Sequence, residues 1–137
     1  MTIAIRFYTK SKKGNTKKLA DAISKTLDVV ALDTSNPLEE KVDVLFFANA
    51  MYAADVDKNI KEFLKLNKDK IGMLVNLNTS ASGKSTLKAV KKVADPLNIN
   101  VSEKEFHCAG SWIFINKGKP TDEDLRNAQE FVKSFIS

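Results

Sequence analysis

The sequence predicts a single α/β domain whose parallel sheet is covered by helices on both faces. Five short apolar segments alternate with four segments of helical periodicity, and each strand–helix unit takes roughly 25 to 35 residues, enough for a right-handed crossover. The 137 residues contain no internal repeat, low-complexity tract or linker. A chain of this length usually forms one domain with its own core. We therefore expect residues 1–137 to form one unit.

The first half of the chain contains three predicted strands and one helix. Ile3–Tyr8 is rich in β-branched and aromatic residues, and Asn15–Leu27 repeats apolar residues at helical spacing. Residues 28–32 form a short second strand, and residues 33–40, which contain Asn-Pro, form a loop. Residues 42–48 are almost continuously apolar. That pattern predicts a central strand that is buried on both faces.

The second half continues the alternation of strands and helices. Ile60, Phe63 and Leu64 mark a helix, residues 71–77 a strand, and residues 87–94 another helix. Residues 101–108 are the predicted fifth strand. Residues 112–115 extend or flank that strand.

The closing helix has a sequence signal for its start. Thr121 and Asp124 have the spacing of a capping box, and Pro120 precedes them. The apolar residues that follow recur at helical spacing: Leu125, Ala128, Phe131, Val132, Phe135 and Ile136. We therefore expect a helix that packs one face on the sheet.

The charge balance favours a solvated lysine surface over nucleic-acid binding. The net charge is +5, but Arg6 and Arg126 are the only arginines among 22 basic residues, and bidentate recognition of bases or phosphates favours arginine. Cys108 is the single cysteine and cannot form an internal disulfide, which fits a reducing cytoplasm. No apolar run approaches a membrane span, and Arg6 interrupts the first one, so we expect no signal peptide or membrane segment.

The strongest functional signal is the polar loop between the first strand and the first helix. Exposed backbone N–H groups and the positive end of a helix dipole favour a phosphate at such a position. The surrounding lysines, including Lys17 and Lys18, raise the local potential. The predicted anion seat comprises Thr9, Lys10, Ser11, Lys12, Lys13, Gly14, Asn15 and Thr16. Loops 9–14, 49–55 and 78–83 leave the carboxyl ends of parallel strands and should converge there.

Three groups of segments follow a recognisable pattern: residues 7–9 with 14–20, residues 49–52 with 60–64, and residues 106–110 with 117–120 and 124–125. Together they resemble a known family, the flavodoxins, over essentially the whole chain. The resemblance implies the strand order 2-1-3-4-5, a noncovalently bound flavin mononucleotide (FMN) and electron transfer. Flavodoxins usually place a hydroxyl directly before the loop glycine, where this chain has Lys13. We therefore expect backbone N–H groups and lysine charge to contribute more to phosphate binding than hydroxyls.

The resemblance also implies the remaining cofactor-binding residues. Met51 and Tyr52 are candidates to lie against the flavin ring, and Trp112 is a possible second aromatic. The other predicted residues are Ala50 and Ala53 in the second loop and Asn78, Thr79, Ser80 and Ala81 in the third. No side chain need act as a catalytic acid or base. We expect acidic redox proteins as partners, no nucleic acid or membrane, and a monomer or weak dimer.

Two other functions on the same fold remain open. One is a flavin-dependent reductase of quinones or similar acceptors that uses NAD(P)H, and the other is a flavin-free interaction domain. A His107–Cys108 catalytic pair is disfavoured because adjacent strand residues face opposite ways. A nucleotide-hydrolysing loop ending at residues 83–85 is disfavoured because Asn78 stands where that motif needs its first glycine.

Overall fold

A computed structural model describes residues 1–9, 14–50, 58–110 and 118–136. Five parallel strands form one sheet with the order β2-β1-β3-β4-β5. Helices flank both faces, which confirms the predicted three-layer α/β architecture and strand order. The elements are β1 (Ile3–Tyr8), α1 (Asn15–Leu27), β2 (Ala31–Asp33), β3 (Val44–Ala50), α2 (Lys58–Asn67), β4 (Leu74–Ser80), α3 (Leu87–Ala94), β5 (Phe106–Ala109) and α4 (Asp122–Ile136).

Successive side chains of each strand point to opposite faces of the sheet and form two separate apolar layers. Phe46 points toward α1 and α4 and meets Phe135 edge-on, with ring centroids 5.9 Å apart. Its neighbour Phe47 points the other way, toward α2 and α3, and stacks on Phe63 at 5.9 Å. All seven residues of β3 are buried, as the sequence predicts for a central strand. We call the two sides the α1–α4 face and the α2–α3 face.

The central strands extend further toward their carboxyl ends than the sequence indicates. β3 ends at Ala50 rather than at residue 48, and β4 runs from Leu74 to Ser80 rather than over 71–77. Asparagines occupy these strand ends, and their side chains are buried in hydrogen bonds. The edge strands shift as well: β2 covers Ala31–Asp33, and β5 covers only Phe106–Ala109, since Val101 makes an isolated bridge to Leu74.

The predicted capping box at the start of α4 is confirmed. The backbone N–H of Thr121 donates to Oδ2 of Asp124 at 2.9 Å, and the N–H of Asp124 donates to the Thr121 hydroxyl at 3.1 Å. Two helix-terminal N–H groups are thereby satisfied. Residues 112–115, predicted to extend the fifth strand, lie outside the described residues. No helix in the described part of the chain combines the length and hydrophobicity needed to cross a membrane.

A buried arginine holds the connection between β2 and β3, which contains no helix. As predicted, residues 34–40 form a loop. Arg6, only 7% exposed, donates from Nε to the carbonyl of Asn36 at 2.8 Å and from Nη2 to that of Pro37 at 3.2 Å. Burial lowers the pKa of this guanidinium, whereas the carboxylates of Glu39 and Asp33 act in the opposite direction. One charged side chain thus fixes a loop where doubly wound proteins commonly have a helix.

Replacing Arg6 with methionine should lower the free energy of unfolding by about 2–3 kcal/mol, since part-buried hydrogen bonds from a charged donor to two loop carbonyls are lost. Urea denaturation followed by circular dichroism measures the change. Arg126→Met, at an exposed position of α4, is the matched control and should change stability by less than about 0.5 kcal/mol. Equal effects of the two substitutions would contradict the role of Arg6.

Candidate functional site at the carboxyl edge of the sheet

The carboxyl ends of the strands bring α1, β4 and the end of β5 into contact. The hydroxyls of Thr16 and Thr79, both buried, lie 3.2 Å apart and share a hydrogen bond. Gly110 fits against this pair: a Cβ there would lie 3.2 Å from Nδ2 of Asn15 and 3.2 Å from Cβ of Thr79. The N–H of Gly110 donates to the carbonyl of Ser80 at 2.9 Å. The start of α1 and the end of β4, which border the first and third predicted loops, are therefore in contact, whereas residues 10–13 of the first loop and 51–55 of the second lie outside the described residues.

Gly14 forms the turn that begins α1. Its φ of +74° lies in the left-handed region, which is strained for residues with a side chain. Its carbonyl accepts the N–H of Lys18 at 2.7 Å, the first hydrogen bond of the helix. The first turn of α1 contains no acidic residue. The positive end of the helix dipole is therefore not neutralised by a carboxylate from that turn.

A closed ring of three hydrogen bonds lies on the α2–α3 face beneath the site. Nδ2 of Asn49 donates to Oδ1 of Asn76 at 2.7 Å, and Nδ2 of Asn76 donates to the Thr86 hydroxyl at 3.0 Å. That hydroxyl donates in turn to Oδ1 of Asn49 at 2.8 Å. Asn78 joins the ring because its Oδ1 accepts the N–H of Thr86 at 3.0 Å. We call these four residues, all at most 4% exposed, the amide network.

The β4–α3 loop, residues 81–85, is tied down by further hydrogen bonds. Nδ2 of Asn78 and the hydroxyl of Ser80 both donate to the carbonyl of Lys84, each at 2.9 Å. Nδ1 of His107 lies 2.7 Å from the carbonyl of Gly83. Since a carbonyl only accepts, that ring nitrogen carries the proton. The loop is thus fixed to its own strand and to β5.

The predicted site residues fall into three groups. Thr9, Gly14 and Asn15 are accessible at the edge of the sheet, as are Ser80 and Ala81. By contrast, the β3 residue Ala50 is buried, and so are the side chains of Thr16, Asn78 and Thr79, which form hydrogen bonds within the protein. The predicted residues Lys10, Ser11, Lys12, Lys13, Met51, Tyr52 and Ala53 lie outside the described residues, as does Trp112.

Sequence reasoning missed a cleft beside the predicted anion seat. The cleft has a volume of about 670 Å³ and lies between Gly14, the end of β2 and the start of α2. Nδ2 of Asn59 donates to the Tyr8 hydroxyl at 3.0 Å on its α2 side. At the end of β2, hydrogen bonds from the side chain and N–H of Ser35 lower the pKa of Asp33. The predicted loop after β2, which contains Asn-Pro, is the sequence signal that lies nearest to this cleft.

Cys108 and His107 do not form a catalytic pair. They lie side by side on β5, with Cys108 buried and His107 exposed. Burial, the larger cause, and Asp124 raise the pKa of the Cys108 thiol to about 11, against the influence of Lys119. The thiol is therefore protonated and unreactive at neutral pH. The described residues also contain no group of three metal-ligating side chains.

Known proteins show the same fold. A short-chain flavodoxin associated with a bacterial microcompartment superposes with a TM-score of 0.71 at 14% identity, covering 99% of this chain and 97% of the other. A flavodoxin mutant from Fusobacterium nucleatum, bound to FMN, has a TM-score of 0.65 at 12% identity, covering 97% and 94%. The chain therefore has the flavodoxin-like fold, and the resemblance seen in the sequence is confirmed at the level of the fold.

Comparison of sequences adds one relative. An uncharacterized protein from Methanocaldococcus jannaschii is 28% identical over 149 aligned positions, which cover 97% of each chain. No protein-family model matches the sequence.

The raised pKa of Cys108 predicts slow alkylation of the native protein. At about pH 8 roughly one thiol in a thousand is ionised, compared with about a quarter at an ordinary thiol pKa. The rate of reaction with iodoacetamide should rise about tenfold per pH unit from about pH 8 to pH 10. Protein unfolded in urea, the control, should react at least about 100-fold faster at pH 8. A native rate that levels off near pH 8.5 would contradict the assignment.

Proposed function

We propose that this protein binds FMN noncovalently at the carboxyl edge of its sheet and serves as an electron carrier. The observation that carries the proposal is the Gly14 turn at the start of α1, which contacts β4 and Gly110 through Asn15 and Thr16. Ligands of open α/β sheets bind in this crevice. The same fold holds FMN in the Fusobacterium nucleatum flavodoxin mutant.

The phosphate of FMN would lie over the N-terminus of α1. Backbone N–H groups after Gly14 and the helix dipole favour an anion there. The Thr16 hydroxyl already interacts with that of Thr79, so lysine charge and backbone groups contribute more to binding than this hydroxyl does. Lys17 forms a 2.8 Å ion pair with Asp21, but both side chains are about half exposed, so the pair leaves Lys17 able to reach a ligand.

The flavin ring would sit between the loops that follow β3 and β4. Flavin supplies the redox chemistry, and the protein contributes binding, orientation and local charge. We propose that backbone groups of Ser80 and Ala81 meet its polar edge and that Met51 and Tyr52 contact its face. The net charge of +5 suggests acidic redox partners bound through weak, salt-sensitive contacts.

Purified protein tests the proposal directly. We expect FMN to bind with quenching of its fluorescence and to be released on denaturation. Turnover of a quinone with NAD(P)H by the loaded protein would instead identify a reductase. If the protein cannot be loaded with FMN, the flavin-free interaction domain remains as the candidate function.

Replacing Gly14 with valine should weaken FMN binding about tenfold or more, because a β-branched residue disfavours the left-handed turn that aims the N–H groups. Fluorescence titration measures the dissociation constant. Asn98→Val imposes similar strain, at φ +61°, near the opposite edge of the sheet, and should leave the dissociation constant unchanged. Unchanged affinity in Gly14→Val would refute the phosphate seat.

Lysines near the seat should raise the reduction potential of the bound flavin, because positive charge favours the anionic reduced form. Substituting Lys10, Lys12 and Lys13 together with glutamine should make the potential more negative by roughly a few tens of millivolts. The control is the same change at Lys25, Lys65 and Lys68, which are exposed toward the far ends of α1 and α2. The electrostatic account fails if both triple variants have the same potential.

A further inference from the structure

We infer that the amide network is a positioning device that sets the spacing between the carboxyl ends of β3 and β4, the strands from which the loops beside the proposed flavin ring leave. This inference rests on the proposed function. Its central member is Thr86, which directly follows the β4–α3 loop and was not predicted from the sequence. Through its hydroxyl, Thr86 bonds to Asn49 of β3 and Asn76 of β4 at once.

The network joins the two strands from which these loops leave. Asn49 is the penultimate residue of β3, and Asn78, its register partner on β4, stands two residues before the end of that strand. The Asn49–Asn76 bond crosses between the strands, and Thr86 bonds to both. Movement of either strand end must therefore break a buried hydrogen bond. Such a break is costly because it leaves a buried polar group without a hydrogen-bond partner.

The orientation of Thr86 supports a role beyond helix capping. Thr86 occupies the N-cap position of α3, but its hydroxyl makes no capping hydrogen bond. The neighbouring Ser85 hydroxyl accepts the N–H of Leu87 at 2.9 Å instead. A threonine at an N-cap normally bonds to its own helix. Here the Thr86 hydroxyl bonds to β3 and β4 instead of capping α3, so it stabilises the sheet rather than the helix N-terminus.

The same end of β4 is held from the other face of the sheet. Thr79 bonds to Thr16 at the start of α1, and the Ser80 carbonyl accepts the N–H groups of Gly83 and Gly110 at 3.1 and 2.9 Å. The phosphate seat and the β4–α3 loop are thus fastened to one strand end. Loss of the amide network should therefore disturb ring binding and phosphate binding together.

The experiment compares two substitutions at Thr86 that differ in the hydroxyl. Thr86→Val keeps the shape but removes both hydrogen bonds, and Thr86→Ser keeps the hydroxyl. Asn67→Leu is the matched control, because Asn67 is also a buried polar residue. Its side-chain amide bonds to the backbone of Leu38 and Phe63. It is the last residue of α2 and lies on the far side from the site. If Thr86→Val does not fold, as judged by circular dichroism, Thr86→Ala replaces it.

Three measurements are made on each variant: the dissociation constant for FMN, the potential of the bound flavin, and amide hydrogen exchange at Gly83 and Gly110. Thr86→Val should weaken FMN binding at least tenfold and speed both exchange rates at least tenfold. It should also shift the potential. Thr86→Ser should resemble the wild type. Asn67→Leu should lower stability without changing the dissociation constant or the potential.

The outcomes separate this inference from the proposed function. If the wild type binds FMN and Thr86→Val behaves like Asn67→Leu in affinity and potential, the positioning role is refuted while the function stands. If the wild type binds no FMN, the proposed function fails and the positioning role fails with it. Even then, the exchange rates of Gly83 and Gly110 test whether the amide network holds the β4–α3 loop in place. Unchanged rates in Thr86→Val would refute that role of the network as well.

Discussion

The arrangement at the carboxyl edge depends on one constraint: polar side chains inside a sheet that is covered on both faces must find partners within the protein. β3 carries Asn49 next to its last residue, and β4 carries Asn76, Asn78, Thr79 and Ser80 among its last five residues. Every buried side-chain N or O atom among the described residues has a hydrogen-bond partner. Because the partners of these strand ends come from α1, α3 and the loop before α3, satisfying the polar groups also fixes the loops.

The layering of helices on both faces follows from signals that the sequence carries plainly, whereas the strand order was implied by the resemblance to flavodoxins. Apolar periodicity located every helix core, and the continuous apolar run in β3 indicated a strand covered on both sides. The ends of β3 and β4 were misplaced because asparagine usually marks a turn. Asn49 and Asn76 instead bond to each other and to the Thr86 hydroxyl, and Asn78 accepts the N–H of Thr86, a compensation that depends on contacts between strands. Local sequence does not reveal such contacts.

The predicted site likewise combines features that the sequence identified with contacts that only the folded chain reveals. Gly14 was identified from its place between strand and helix, and its left-handed backbone agrees with that interpretation. Thr16 was assigned to the anion seat and Thr79 to the third cofactor loop, each from its own segment. The hydrogen bond between their hydroxyls could not be predicted, since it joins a helix and a strand that meet only in the folded chain. Arg6 is a comparable case: its carbonyl partners at Asn36 and Pro37 lie 30 and 31 residues away.

Gly110 carries a thermodynamic consequence. With no side chain of its own, it lets the chain after β5 approach both Asn15 and Thr79, so that the three segments pack closely against one another. Order at these three segments is therefore coupled, and an anion that binds at α1 would stabilise native over locally opened forms by mass action. Binding in the crevice would therefore also stabilise the end of β5, the last strand of the sheet, against local unfolding.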